Sequence, residues 1–307
     1  MVTFDSTIFA IVTPSIDSRM VDYNGIYVYL NWLYVNGVRT ILVNGTTGEF
    51  PSLPLRQRCD ILEMAKKSFP GVIITNVSAT CMDDALYLAD HAQRYSDAIL
   101  VSPPFYYTNL DGDGLLRYFD YLFSTICKPI FIYNIPQFVG FSVGDEIIFE
   151  LQRRHDNFVG IKDSSGNVYD PSRFRKHKID FRVYLGNDFL ASQAVRLGFD
   201  GVVTGSANPI PEIIIGIAVA VLENDMARAH YLQGLLNYWS VVRQEIGAEI
   251  PCIKAALSLR LKTISPLTFL PITSLSQGHI SRIGRLLSQL HESLDGTKNN
   301  VLRRPLE

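Results

Sequence analysis

Eight short apolar runs, each followed by a stretch long enough for a helix, set the strongest limit on what this chain can fold into. The runs are FAIVTP (9–14), RTILVNG (39–45), GVIITNV (71–77), DAILVSP (97–103), PIFIYN (129–134), FVGIKD (158–163), FRVYLGN (181–187) and GVVTGS (201–206). Runs that are apolar on both faces suit parallel strands covered on two sides. Between them, helices are predicted over 22–36, 55–68, 82–95, 112–126, 143–154, 170–177 and 188–197, with Asp83 and Asp188 as N-caps. Alternation of this kind points to a parallel α/β fold, and eight units point to a closed (β/α)8 TIM barrel. An open doubly wound sheet is the competitor, but IVTPSIDS lacks the Gly-rich phosphate loop that usually follows its first strand. Further helices over 210–222, 226–245, 252–260 and 276–293 supply the last barrel helix and a C-terminal helical extension. The expected organisation is a barrel over 1–224, an extension over 225–296 and a polar, frayed tail over 297–307.

Composition removes several classes of function. The 307 residues are 47% hydrophobic and 19% charged, enough to bury the core of one large α/β domain with additions. A net charge of -2 gives no footing for nucleic acid, and the basic group Arg173, Arg175, Lys176, His177, Lys178 is short enough to read as a solvated helix end. Cys59, Cys81, Cys127 and Cys252 form no CxxC pair and have no His at ligand spacing, so they read as reduced core thiols, with neither a metal nor a disulfide frame. The start MVTFDSTIFAIVTPSID has no basic n-region, and IIIGIAVAVL (213–222) is too short to span a bilayer. The expectation is a cytoplasmic protein (or an organellar one after processing) without membrane contact. His91, His155, His177, His230, His279 and His291 fall mostly in polar helical stretches and read as surface or packing residues.

In such a barrel, chemistry belongs at the C-terminal strand ends. Thr46, Thr47 and Gly48 follow strand two; Tyr106 and Tyr107 follow strand four; Tyr133 ends strand five and Lys162 strand six, with Ser164 just beyond. Asn187 and Asp188 follow strand seven, and Thr204 and Ser206 end strand eight. An amine emerging from an apolar strand is poorly solvated when charged, and a neutral amine attacks a ketone to form a Schiff base. The iminium is an electron sink for a neighbouring carbanion, which aldol cleavage, aldol addition and β-elimination all need. A tyrosine hydroxyl can shuttle protons, and the GTTG turn can offer N–H groups and two hydroxyls to a carboxylate. Together the parts describe a site for a small 2-oxo acid. Taken singly, each has a plain reading: Lys162 a surface cation, Tyr133 a core aromatic, GTTGE a turn, Asp188 a cap.

GTTGE (45–49), YNIP (133–136), GIKDSSG (160–166), Gly186-Asn187-Asp188, the Gly198–Gly201 stretch, Asn208 and IPCIKAAL (250–257) occur in this order behind an early Ala10-x-x-Thr13-Pro14. In these stretches the sequence resembles the dihydrodipicolinate synthase and N-acetylneuraminate lyase family of pyruvate-type class I aldolases, over nearly the whole chain. The resemblance implies that Lys162 forms the Schiff base, that Tyr133 is the proton shuttle, and that Thr46 and Thr47 hold the substrate carboxylate or pass protons. It further implies a homo-oligomer, a dimer or tetramer in which Tyr106, or Tyr107, completes the relay in a neighbouring copy, and no metal or organic cofactor. Two departures bear on the substrate. Phe138 stands where dihydrodipicolinate synthases carry a carboxylate-binding arginine, and an aromatic ring cannot make that bidentate pair. Phe189 stands where sialate lyases place a second acid. Asp188, Ser164 and Ser206 can still bind the hydroxyls of a shorter polyol. The expected substrate is a 2-keto-3-deoxy sugar acid cleaved to pyruvate and an aldehyde. The alternatives are dehydration of such an acid on the same lysine, dihydrodipicolinate synthesis, and a small-acid-binding protein without turnover.

Overall fold

The computed structural model describes residues 2–298. In chain order the elements are β1 (Thr7–Ala10), α1 (Tyr23–Val35), β2 (Thr40–Val43), α2 (Leu55–Ser68), β3 (Val72–Asn76), α3 (Met82–Tyr95), β4 (Ala98–Val101), α4 (Gly112–Ser124), β5 (Ile130–Asn134), α5 (Pro136–Val139), α6 (Asp145–Arg154), β6 (Phe158–Asp163), β7 (Arg182–Leu185), β8 (Gly201–Thr204), α7 (Pro211–Leu222), α8 (Met226–Ile246), α9 (Glu249–Leu261) and α10 (Gln277–Lys298). The eight strands are parallel and close into a barrel, β8 pairing back onto β1.

The strands read as unbroken apolar runs because each faces two cores. Ile8, Ala10, Leu42, Ile74, Phe131, Tyr184 and Val203 fill the barrel interior. Their alternate neighbours, such as Phe9, Ile41, Ile73, Ile132 and Val183, pack against the helices. This parity decides where Lys162 goes. Across β5 and β6, Phe131 is opposite Gly160 and Tyr133 is opposite Lys162, so the lysine shares the inward phase of Phe131. Beneath it Ile8, Leu42, Ile74, Leu100, Phe131 and Tyr184 make an apolar floor.

Element ends follow local chemistry. Asp22, Asp111 and Asp225 cap α1, α4 and α8 by accepting from the N–H of Gly25, Gly114 and Arg228. Asp83 is not a cap: Cys81 holds that position, and Asp83 lies in the first turn of α3, where the helix dipole favours an acid. β1 ends at Ala10, short of the end of FAIVTP; Ile11 N–H still bonds Leu42 O at 3.0 Å, and beyond it Thr13 donates its hydroxyl to Gly48 O at 2.8 Å ahead of Pro14, which has no N–H. The stretch 170–177 yields only a 3-10 turn, Pro171–Arg175, and α5 is a short helix the sequence did not reveal.

The largest departure is 188–197, expected to be a helix. The chain makes one 3-10 turn, Asp188–Leu190, capped by Asn187 instead of Asp188, and then a series of turns. An α-helix would bond Ser192 N–H to Asp188 O. Gln233 of α8 takes both groups: Ser192 N–H donates to its Oε1 at 2.8 Å, and its Nε2 donates to Asp188 O at 2.8 Å. A side-chain amide from another helix replaces the rung that would have continued the ladder.

The division expected after 224 falls between α7 and α8. α9 is almost wholly buried from Pro251 to Leu257. α10 runs to Lys298 and so includes the first two residues of the expected tail; from 299 onward that tail lies outside the described residues. Among the described residues no helix is long and apolar enough to cross a membrane. All four thiols are free, but only Cys59 and Cys252 are buried; Cys81 and Cys127 are exposed, not in the core as expected.

Candidate active site

The C-terminal strand ends open into a cavity of about 820 Å³. Lys162, 6% exposed, rises into it from the apolar floor. Its Nζ lies 3.9 Å from the centre of the Tyr133 ring. The Tyr133 hydroxyl is 3.4 Å from Thr46 Oγ1. The residues following this lysine and tyrosine lock the two strand ends together: Asn134 Nδ2 donates to Asp163 Oδ1 at 3.1 Å. Asp163 also accepts from Ser165 N–H at 2.8 Å and from Tyr169 OH at 2.7 Å. Burial, and then the Asp163 charge, hold the Tyr169 phenol far above its ordinary value, so it stays a donor.

The threonine turn is built tightly. Gly48 N–H bonds Gly45 O at 3.0 Å and Glu49 N–H bonds Thr46 O at 2.9 Å, with Asn44 and Glu49 both left-handed, at φ 58 and 59. A Cβ on Gly205 would sit 2.3 Å from Thr47 Oγ1, so any side chain there would force the Thr47 hydroxyl out of its place in the cavity wall. The turn ends on Glu49, whose Oε1 accepts from Lys254 Nζ of α9 at 2.6 Å with both side chains 0% exposed. Its Oε2 accepts from Phe269 N–H at 2.8 Å. Burial pushes the Glu49 carboxyl up against the pull of Lys254, and pushes the Lys254 amine down against the pull of Glu49. Through this pair the extension is tied to the turn, and Ile250, Pro251, Pro271, Ile272 and Thr273 complete the cavity wall.

Lys162, Tyr133, Thr46, Thr47, Ser164 and Asp188 all line the cavity. Gly48, Thr204 and Ser206 stand behind its wall. Gly48 O receives Thr13, Thr204 Oγ1 receives Ala207 N–H at 3.1 Å, and Ser206 Oγ donates to Asp188 Oδ2. Trp239 Nε1 in turn holds Ser206 O at 2.8 Å. Burial pushes the Asp188 carboxyl up, only partly offset by the Ser206 hydroxyl, the Arg243 charge and the Thr204 hydroxyl. Tyr106 does not line the cavity of its own chain: Phe105 does, while Tyr106 is 82% exposed, at φ 103, edge-on to Tyr107. A left-handed aromatic residue is strained. Phe138 stands at the lip, and sequence reasoning missed Phe50, Phe105, Gln137, Glu249 and the wall from 271–273. IPCIKAAL was the one signal that α9 mattered. Next to the main cavity is a chamber of about 400 Å³ that shares Gly186, Asp188, Gly247, Ala248 and Glu249 with it.

A closed (β/α)8 barrel with a buried lysine against a tyrosine, both beside a threonine turn, has the layout of an enzyme that captures a 2-oxo acid as a Schiff base. The sequence model of the dihydrodipicolinate synthetase family matches residues 3–290, and the chain belongs to that family. It is thus a pyruvate-dependent class I aldolase in the broad sense, a Schiff-base-forming enzyme. It is 36% identical over 204 residues to a 2-dehydro-3-deoxy-D-gluconate/2-dehydro-3-deoxy-phosphogluconate aldolase of Thermoproteus tenax, covering 66% of this chain and 64% of that one. It is 30% identical over 286 residues to a 4-hydroxy-tetrahydrodipicolinate synthase of Fervidobacterium nodosum, covering 92% of this chain and 96% of the relative. Among solved structures, dihydrodipicolinate synthase from Bacteroides thetaiotaomicron superposes with a TM-score of 0.87 at 26% identity, over 94% of this chain and 99% of that one. A prophage protein of the same family from E. coli K12, in complex with pyruvate, shares the fold with a TM-score of 0.88 at 24% identity, over 94% and 99%.

Proposed function

We propose that this enzyme reversibly cleaves a 2-keto-3-deoxy sugar acid to pyruvate and an aldehyde through a Schiff base on Lys162. The observation that carries the chemistry is the Lys162–Tyr133–Thr46 alignment, Nζ 3.9 Å from the ring and the hydroxyls 3.4 Å apart. The Lys162 amine adds to the C2 carbonyl, and the carbinolamine loses water to give an iminium. Tyr133 exchanges the protons of these steps and takes the proton of the C4 hydroxyl as the C3–C4 bond breaks. The bond's electrons pass into an enamine, the aldehyde departs, C3 is reprotonated, and water releases pyruvate from the lysine. Thr46, Thr47 and the N–H groups of their turn hold the carboxylate. Ser164 and Asp188 take substrate hydroxyls, with Gly48, Thr204 and Ser206 supporting that wall. Tyr106 serves a neighbouring copy in a homo-oligomer, a role its exposure and strained backbone favour. The reading assigns no metal or organic cofactor.

Phe138 at the cavity lip weighs for a sugar acid over aspartate semialdehyde, as does the Thermoproteus relative. The long match to the Fervidobacterium synthase favours the other reading. The test is to incubate the protein with pyruvate, reduce with borohydride, and locate the adduct by mass spectrometry. An adduct on Lys162, absent in Lys162→Ala, is expected; a folded protein without one would end the proposal. A panel of 2-keto-3-deoxy acids, followed for pyruvate release and for water loss, beside condensation of pyruvate with aspartate semialdehyde, then selects the substrate.

A further inference from the structure

The smaller chamber beside the main cavity is walled by Asp188 and by groups given no part so far, Arg243 and Glu249 among them. Arg243 of α8 is 7% exposed; its Nη1 donates to Glu249 Oε1 at 2.9 Å and its Nη2 to Ser240 Oγ at 3.1 Å. Its Nε is buried with no hydrogen-bond partner among the described residues. Asp188 Oδ1, on a residue of the same chamber wall, is also buried and makes no hydrogen bond of ordinary geometry among them, with the Thr204 hydroxyl and the Arg243 charge both acting on this carboxyl. Buried polar atoms are nearly always paired, so an unpaired donor and an unpaired acceptor on two residues of one chamber wall point to a ligand that supplies the complement. Asp188 and Glu249 also line the main cavity, so the chamber continues it away from Lys162.

We infer that this chamber is the subsite for the end of the substrate farthest from Lys162, and that it takes an uncharged, hydroxylated end in preference to a phosphorylated one. The inference rests on the sugar-acid reading and deepens it. A hydroxyl both donates and accepts, so the hydroxyls of a polyol end suit an acceptor such as Asp188 Oδ1 and a donor such as Arg243 Nε alike. A phosphate dianion brings acceptors to Arg243 but like charge to Asp188. It also finds the guanidinium of the chamber already paired, so among the described residues of the wall one cation stands against two carboxylates, Asp188 and Glu249. Glu249, with its side chain 69% exposed at the mouth, is the charge that can be removed without opening the core.

The experiment measures kcat/KM of the full-length protein for a 2-keto-3-deoxy sugar acid and for its terminal phosphate ester, in wild type, Glu249→Gln and Arg243→Lys. Wild type is expected to favour the unphosphorylated acid. Glu249→Gln should shift the phosphorylated-to-unphosphorylated ratio upward about fivefold, the effect of one exposed charge partner. Arg243→Lys keeps the charge but removes Nε, and should raise KM for the unphosphorylated acid more than it lowers kcat. A wild-type preference for the phosphate ester, or a ratio unmoved by Glu249→Gln, overturns the subsite. Turnover of neither acid, while wild type still traps pyruvate on Lys162, overturns the sugar-acid reading and the subsite with it.

Discussion

The buried Glu49–Lys254 pair makes a quantitative claim. At 2.6 Å and no exposure, the two charges attract by about 6 kcal/mol at an effective dielectric of 20. Desolvation takes most of this back, which is why a buried pair is worth little against an uncharged replacement. Breaking it is another matter. Glu49→Gln leaves Lys254 Nζ buried without a counter-charge, with Ser15 Oγ at 3.4 Å beside it, and should cost about 3–5 kcal/mol at neutral pH. Adding Lys254→Met removes the stranded charge, while the amide oxygen introduced by Glu49→Gln still accepts from Phe269 N–H. The double variant should recover about 2–3 kcal/mol of the summed loss. The cost in Glu49→Gln should also depend on pH. Burial already pushes the Lys254 amine below its ordinary value of 10.5, and losing Glu49 pushes it further. The folded variant then binds fewer protons than the unfolded chain, so its stability rises with pH by up to about 1.4 kcal/mol per unit. That rise spans the window between the depressed folded value and 10.5. Urea denaturation at fixed protein concentration, from pH 7 to 9, reads the single loss, the recovery and the slope. Additive losses in the double variant, or a pH-independent cost, would refute the reasoning.

Tyr133→Phe should lower kcat by roughly 10²-fold or more while the protein still melts as wild type, since the ring is kept; near-normal turnover would take the shuttle role away. Gly205→Ala puts a methyl group 2.3 Å from Thr47 Oγ1 and should raise KM for the 2-oxo acid by about 10- to 100-fold, the worth of a hydrogen bond to a carboxylate, as steady-state kinetics can show. Iodoacetamide at pH 8 should alkylate Cys81 and Cys127 in the native protein and spare Cys59 and Cys252, the last held by burial up to about 11. Peptide mass mapping that finds Cys252 modified without unfolding would contradict its packing.

The barrel was legible because its strands carry their own signature: two-sided burial gives unbroken apolar runs, and Lys162 stands out as a charge in such a run that shares the phase of Phe131 and Tyr133. Which side chains form the cavity floor comes instead from the strand register of the folded barrel. What could not be read were features set by partners distant in sequence. DFLASQAVRL has a helix-like pattern, yet an amide 41 residues beyond Ser192 takes its hydrogen bond. Arg243 and Glu249 gave no signal, because nothing local says which face of α8, or which end of α9, turns toward the barrel mouth. Glu49 lay within a quoted motif, but its partner is 205 positions away. Thr204 and Ser206 were placed on the correct end of the barrel, and only the side-chain network puts them behind the wall instead of in it.

Gln233 has a consequence for how this chain tolerates recombination. Because its amide stands in for a backbone rung, the position of Asp188 belongs jointly to the loop after β7 and to a helix outside the barrel. A chimera that grafts a relative's C-terminal helices after residue 224 would release Ser192 and Asp188 to bond each other wherever the donor lacks that amide. The segment would then be free to coil, carrying the Asp188 carboxylate off Ser206. Grafts of this kind are therefore expected to alter what Asp188 can bind, while capture on Lys162 survives only where the donor also supplies a lysine for Glu49, making the eight-stranded core, α8 and α9 a single inherited module.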